Sequence, residues 1–243
     1  MTTPLQVSRF ALAAALLLSC SSAAHAVIVV DSFQTNQSSL TLTFPPAGTS
    51  ASSSASGAGI LGGERDVQVS LTSGVIAGNT VSTTVSSGFF SYSQDATISG
   101  RSEIQWDGAD GSATLNPTGL GGIDLTDGGI LSQFLLTVLF DDLPADGQIA
   151  VYSNAANFSV LNFNLPGLIF STTSFEFDFS DFTIGAGTGA DFTDVGAIVL
   201  SIGSSVTAPD VVIDSFTVVP EPASASLIGL GMLAMTARRA RRR

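Results

Sequence analysis

Ser174-Phe175-Glu176-Phe177-Asp178-Phe179 alternates without a break: three phenylalanines fall on one side, and serine, glutamate and aspartate on the other. A period of two belongs to a half-buried β-strand, whose successive side chains leave on opposite faces. Working outward from this segment, short apolar or alternating runs recur at roughly ten-residue spacing, bounded by Gly, Ser, Asn, Asp and Pro. They predict strands at 27–33, 39–44, 67–72, 80–86, 89–93, 96–100, 103–106, 130–140, 148–153, 158–164, 174–179, 197–202 and 211–218. No helical period persists anywhere between them. Leu143-Pro144-Ala145-Asp146-Gly147 reads as a hairpin turn, because proline sets φ and glycine accepts positive φ. Many antiparallel strands with abundant Gly and Ser predict an all-β fold, an antiparallel β-sandwich.

Two stretches read as irregular. Residues 45–63 are rich in Gly, Ser and Ala and predict a flexible surface loop. Residues 106–129 are glycine-rich and carry Asp107, Asp110, Asp124 and Asp127, a length that in a loop is usually functional or disordered. Val29-Val30-Asp31-Ser32-Phe33 opens the domain and Val212-Ile213-Asp214-Ser215-Phe216 closes it. Matching first and last strands fit a jelly roll whose termini pair side by side; chance similarity of two Val-rich strands fits as well.

Composition excludes much chemistry. Between residues 27 and 220 there are nineteen acidic residues and two basic ones, Arg65 and Arg101, a net charge of −17. The single His (His25) and the single Cys (Cys20) lie before residue 27, and the chain has no Lys. No Ser-His-Asp or Cys-His triad, imidazole shuttle, Schiff-base lysine, thiolate or disulfide is available to the domain. A field of this sign repels phosphates, so nucleic acid is excluded as a partner and anionic lipid is disfavoured. Remaining enzyme chemistry would rest on carboxylates or a bound hard cation. Arg65 and Arg101 are expected in structural ion pairs.

Both ends carry addresses. Residues 1–26 read as a secretory signal peptide: one charge at Arg9, an apolar stretch, and Ala24-His25-Ala26 as a small-x-small cleavage site. Leu17-Leu18-Ser19-Cys20 is a rival reading, a lipoprotein box with Cys20 acylated. At the other end, Pro220-Glu221-Pro222 precedes a fifteen-residue apolar run and then Arg238, Arg239, Arg241, Arg242 and Arg243. That run is shorter than the ~20 residues of a comfortable membrane helix and suits brief anchoring in the inner membrane. The arginines stay cytoplasmic and leave the acidic domain on the other side. This order of parts resembles the PEP-CTERM sorting signal of Gram-negative bacteria. The resemblance implies recognition and cleavage near Pro-Glu-Pro by an exosortase-type membrane protease, with release to the cell surface or into exopolysaccharide. The parts divide as signal peptide 1–26, β-sandwich 27–218 and sorting signal 219–243.

A second resemblance covers the domain. Ile28-Val29-Val30-Asp31-Ser32-Phe33, Leu61-Gly62-Gly63-Glu64-Arg65-Asp66, Phe177-Asp178-Phe179-Ser180-Asp181-Phe182, Gly196-Ala197-Ile198-Val199-Leu200 and Val212-Ile213-Asp214 resemble pieces of galactose-binding-like jelly rolls, a group that includes many carbohydrate-binding modules. It implies a scaffold that binds sugars on a sheet face or at loop tips, often with structural calcium. On jelly-roll precedent Asp31 and Asp214 lie together near the chain ends and share an ion. Trp106 followed by Asp107 is the candidate sugar platform, against the plainer reading of a buried sandwich tryptophan. Asp107 and Asp110, with the pair Asp124/Asp127 and the cluster Asp141, Asp142 and Asp146, are candidate calcium ligands, against the alternative that Asp in these turns bonds its own backbone. The expected function is a non-enzymatic matrix or glycan-binding component; the alternative is a carboxylate-based glycan hydrolase or lyase.

Overall fold

In the computed structural model, residues 27–205 and 208–221 are described. Fourteen strands follow in chain order: β1 (Ile28–Asp31), β2 (Gln37–Thr43), β3 (Thr49–Ser56), β4 (Glu64–Gly74), β5 (Thr80–Ser86), β6 (Phe89–Gln94), β7 (Ile98–Trp106), β8 (Gln133–Asp141), β9 (Ala145–Asn154), β10 (Asn157–Leu165), β11 (Thr173–Asp178), β12 (Thr183–Ala186), β13 (Ala197–Ser204) and β14 (Asp210–Val219). They form two antiparallel seven-stranded sheets. The first runs β11-β8-β14-β6-β5-β2, with β1 added on β14, and the second runs β12-β10-β9-β13-β7-β4-β3. The chain crosses between the sheets at β2–β3, β4–β5, β6–β7, β7–β8, β8–β9, β10–β11, β11–β12 and β13–β14, the winding of a jelly roll. The expected pairing of first and last strands is present: Ile28 faces Val218 and Val29 faces Thr217, antiparallel.

Period-two patterning fills the space between the sheets. Phe175 and Phe177 on β11 pair with Leu136 and Phe134 of β8, so the phenylalanine side of the alternation points inward while Ser174 and Glu176 stay exposed. Phe134 stacks on Phe216 at 5.0 Å, and Trp106 and Phe179 extend that aromatic group. Aromatic rings bury the most apolar area per residue, and burial of this kind is the main favourable term in a domain without disulfides. Gly100 is required by the close approach of the sheets: a Cβ there would sit 2.7 Å from Val81 and 3.1 Å from the Ser70 carbonyl.

One polar group is swallowed whole. Asp31 and Arg65 are both fully buried and form an ion pair at 2.9 Å. The Asp31 carboxylate also accepts from the Trp106 indole at 2.9 Å and from the Phe33 amide at 2.7 Å. That last bond holds Phe33 at a φ of 52°. The guanidinium is saturated in turn, donating to Gln37 Oε1 and the Thr35 carbonyl, each at 2.7 Å, and lying 5.6 Å from the Phe33 ring centre. Burial pushes the Asp31 carboxyl above its ordinary range, and Arg65, Trp106 and Phe33 pull against it.

The structure corrects several expectations. Residues 45–63 are not a flexible loop throughout: Thr49–Ser56 is the edge strand β3, paired in register with β4 from Thr49–Leu71 to Ser56–Glu64. Ser and Ala on both faces hide its period, because an edge strand needs little apolar area once its backbone is paired. The segment 143–147 is not a hairpin turn. Residues 142–144 carry the chain from β8 in one sheet to β9 in the other, and 145–147 are already the start of β9. Turn chemistry marks where a strand stops but not which sheet receives the next one. The strands expected at 96–100 and 103–106 are one strand, β7, and β12 lacked an apolar signal. Among the described residues no helix is long and apolar enough to cross a membrane. The expected membrane helix after Pro222 lies outside the described residues.

Candidate functional site

Alternation along the second sheet sends one set of side chains into the core and the other onto its outer face. Across the middle of that face the register aligns Ser52 of β3, Gln68 of β4, Glu103 of β7, Ser201 of β13, Gln148 of β9 and Asn162 of β10 in one row. Gln148 donates to Asn162 at 2.8 Å. This row is a band of amides, hydroxyls and one carboxylate, each group able to donate to or accept from a polyol. Four residues along β9 from Gln148, Tyr152 pairs with Phe158 and stacks on it at 4.9 Å and 26°. Burial and the Glu103 carboxylate push the Tyr152 phenol up, so it remains protonated at neutral pH. On the other side of the row, Ser70, Arg101, Gly203 and Asp146 align and line a depression of about 250 Å³. Arg101 therefore sits on this face and is not in a structural ion pair: among the described residues, the ion pair is Arg65–Asp31.

The glycine-rich loop 107–129 closes one end of the face. Leu120 donates to the Gly196 carbonyl at 2.8 Å and Ile123 to the Val195 carbonyl at 2.9 Å. On the β4 side, Glu64 Oε1 accepts the amides of Asp110 and Gly111 at 3.1 and 2.5 Å, and Glu64 Oε2 accepts Ser56 Oγ at 2.8 Å. Glu64, Asp66 and Asp110 bring carboxylate oxygens within 4.8 Å of one another. Burial pushes the Asp66 carboxyl up to about 6; the Ser54 hydroxyl opposes this, and Glu64, Asp107 and Asp110 add to it.

The expected site residues divide sharply. Trp106 is fully buried, with its indole bonded to Asp31 and its ring beside Phe216, so it offers no open face to a sugar. That corrects the platform assignment: the tryptophan closes the core at the end of β7. Asp107 is also fully buried and accepts the Asn116 amide at 2.6 Å through Oδ2. Both Asp31 oxygens are taken by protein donors, and the register places Asp31 against Phe216 rather than Asp214. Asp110 does join a carboxylate group, but with Glu64 and Asp66. Asp124 accepts from Thr126 and Gly128, which is turn chemistry. Pro220 is half-buried and Glu221 exposed. Ala24, Ala26, Pro222, Arg238, Arg239, Arg241, Arg242 and Arg243 lie outside the described residues.

Sequence reasoning missed Glu64, Asp66 and the amide row. A signal existed for the first two: in Glu64-Arg65-Asp66 an acid, a base and an acid alternate, which on a strand separates two carboxylates from the guanidinium. The amides had none, since single Gln and Asn residues on scattered strands become a band only through register.

No curated protein matches the chain. Among solved structures it is similar to a family 11 carbohydrate-binding module studied in solution, at 11% identity and a TM-score of 0.40, over 83% of this chain and 99% of that one. It is also similar to the family 11 module from Clostridium thermocellum in complex with a β-1,3-1,4-mixed-linked tetrasaccharide, at 14% identity and a TM-score of 0.37, over 82% of this chain and 98% of that one. An exo-β-agarase gives a TM-score of 0.37 at 12% identity, over 63% of this chain and 23% of that one. Residues 218–243 match the PEP-CTERM protein-sorting motif, so the chain carries the signal of an exported protein sorted through the membrane to the cell surface.

Proposed function

We propose that this exported protein is a non-enzymatic glycan-binding or matrix component of the cell surface or exopolysaccharide, and that its ligand lies across the outer face of the second sheet. One observation carries the reading: the row Gln68, Glu103, Ser201, Gln148 and Asn162, flanked by the Tyr152–Phe158 stack. Amides and a carboxylate bond sugar hydroxyls in both directions, while an aromatic pair gives the apolar side of a pyranose a surface to rest on. Export supports the reading, because glycans are the abundant ligands at the destination. In the proposed route, the signal peptide 1–26 is removed, the segment after Pro222 holds the chain briefly in the inner membrane, and an exosortase-type protease cuts near Pro220–Pro222.

The test is a glycan array on the secreted protein, followed by Gln148→Ala and Tyr152→Ala. Each is expected to weaken binding at least tenfold while leaving the unfolding midpoint within a few degrees of the parent. Reducing-sugar release from a bound glycan, abolished by Glu103→Gln, would replace this reading with the hydrolase.

A further inference from the structure

Glu64 and Asp66 leave β4 on the outer side, and Asp110 comes to them from the loop after β7; their carboxylate oxygens gather within 4.8 Å of one another. Such a group could be only a local crowding of acids, so the atoms left without partners decide the matter. Asp66 is fully buried, yet its Oδ2 meets no donor among the described residues; its Oδ1 is taken by the Ser54 hydroxyl. Asp107, also fully buried and electrostatically coupled to all three, leaves Oδ1 unmet as well. A buried carboxylate oxygen without a donor is costly and uncommon in a folded protein. The nearest guanidinium in sequence, Arg65, points to the opposite side of β4 and is committed to Asp31.

We propose that Glu64, Asp66 and Asp110, supported by Asp107, bind a hard divalent cation, with calcium as the preferred ion. Oxygen ligands alone suit a hard cation, and the mixture of strand and loop donors suits calcium, which accepts irregular shells of six to eight oxygens; magnesium demands a near-ideal octahedron. Asp66 supplies an oxygen from the sheet and Asp110 one from the loop. The ion therefore ties the loop 107–129 to β4 at the point where Glu64 already holds the Asp110 and Gly111 amides. This site is distinct from the Asp31/Asp214 pair and stands independently of glycan binding.

Thermal unfolding of the EDTA-stripped secreted protein, titrated with calcium chloride, tests the proposal. Extracellular calcium modules bind at about 10⁻⁴–10⁻³ M, so 10 mM calcium at the tighter end lowers the unfolding equilibrium constant about 100-fold and raises the midpoint accordingly. Magnesium at the same concentration is expected to give a much smaller rise. Asp110→Asn, an exposed change, should remove most of the calcium response, whereas Asp181→Asn, an equal change in charge elsewhere, should keep it. Asp66→Asn retains the acceptor for Ser54 and is expected to be at least as stable as the parent in EDTA, while losing the response. An absent calcium response overturns the proposal. So does an equal response in Asp110→Asn, or an Asp66→Asn variant destabilised in EDTA.

Discussion

Replacing Arg65 by Met keeps the aliphatic stem and deletes the guanidinium from the core. The parent side chain donates to Asp31, Gln37 and Thr35 at 2.7–3.1 Å. After the change, Asp31 retains the Trp106 indole and the Phe33 amide, while Gln37 Oε1 and the Thr35 carbonyl lose their donor. Leaving an uncompensated charge in a core costs about 3–5 kcal/mol. The carboxyl can escape by binding a proton, and holding one at pH 7 against an ordinary value near 3.9 costs about 4 kcal/mol, at 1.36 per pH unit. The two routes agree, so the expected loss is about 4 kcal/mol, against about 5–15 for a whole domain. The reporter is built in: Trp106 is the single tryptophan, fully buried and bonded to the affected carboxylate. Urea unfolding followed by its fluorescence should show a lower midpoint at an unchanged slope. In this variant the folded-state value of Asp31 lies above the unfolded one, so stability should be highest at low pH and fall as pH rises from about 4 toward neutrality. Asp31→Asn combined with Arg65→Met removes the charge with its partner and should recover roughly half of the loss. A cost below about 1 kcal/mol, or a double variant as unstable as the sum of the singles, would refute the claim that this pair is closed to water and mutually dependent.

Asp141 offers a second pH test. It is fully buried, accepts the Gly167 amide at 2.9 Å, and burial pushes its carboxyl up to about 6. A folded-state value above the unfolded one gives stability that is complete below about 4 and lost as pH rises through 6, on the order of 3 kcal/mol. Asp141→Asn should flatten that part of a stability–pH profile measured by urea midpoints. Gly100→Val should cost about 2–3 kcal/mol in the same assay, because its side chain would drive into Val81 of the facing sheet and the Ser70 carbonyl of the neighbouring strand.

How much of this was legible depends on what carried each feature. Strand existence was legible wherever apolar residues alternated, as in residues 174–179, because burial on one face leaves a period-two trace. It failed for β3, whose Ser and Ala side chains leave no contrast between faces. Sheet membership was not legible at 143–147, since both a hairpin and a crossover need the same turn residues. The candidate glycan face lay beyond sequence altogether: Gln68, Gln148 and Asn162 meet only through the pairing of β4, β7, β13, β9 and β10.

The burial of Arg65 has a consequence for the whole surface. Nineteen acids and two arginines lie between residues 27 and 220, and one arginine with one aspartate is withdrawn into the core. Glu64, Asp66, Asp107 and Asp141 are buried as well, so the outside is left with Arg101 against fourteen carboxyl groups. No rearrangement of side chains can neutralise such a surface, so compensation must come from cations in the surroundings. Diffuse counterions would serve most of it, since exposed charges more than about 8–10 Å apart are screened at physiological salt. They do not serve Asp66 and Asp107, whose free oxygens are buried. Domain charge and local geometry thus impose separate demands. The first sets a general dependence on ionic strength, to which monovalent salt responds, and the second a dependence on one divalent ion, to which monovalent salt does not. Sodium chloride should therefore raise the unfolding midpoint of the parent and of Asp110→Asn alike, while calcium adds a further rise in the parent that is mostly lost in Asp110→Asn.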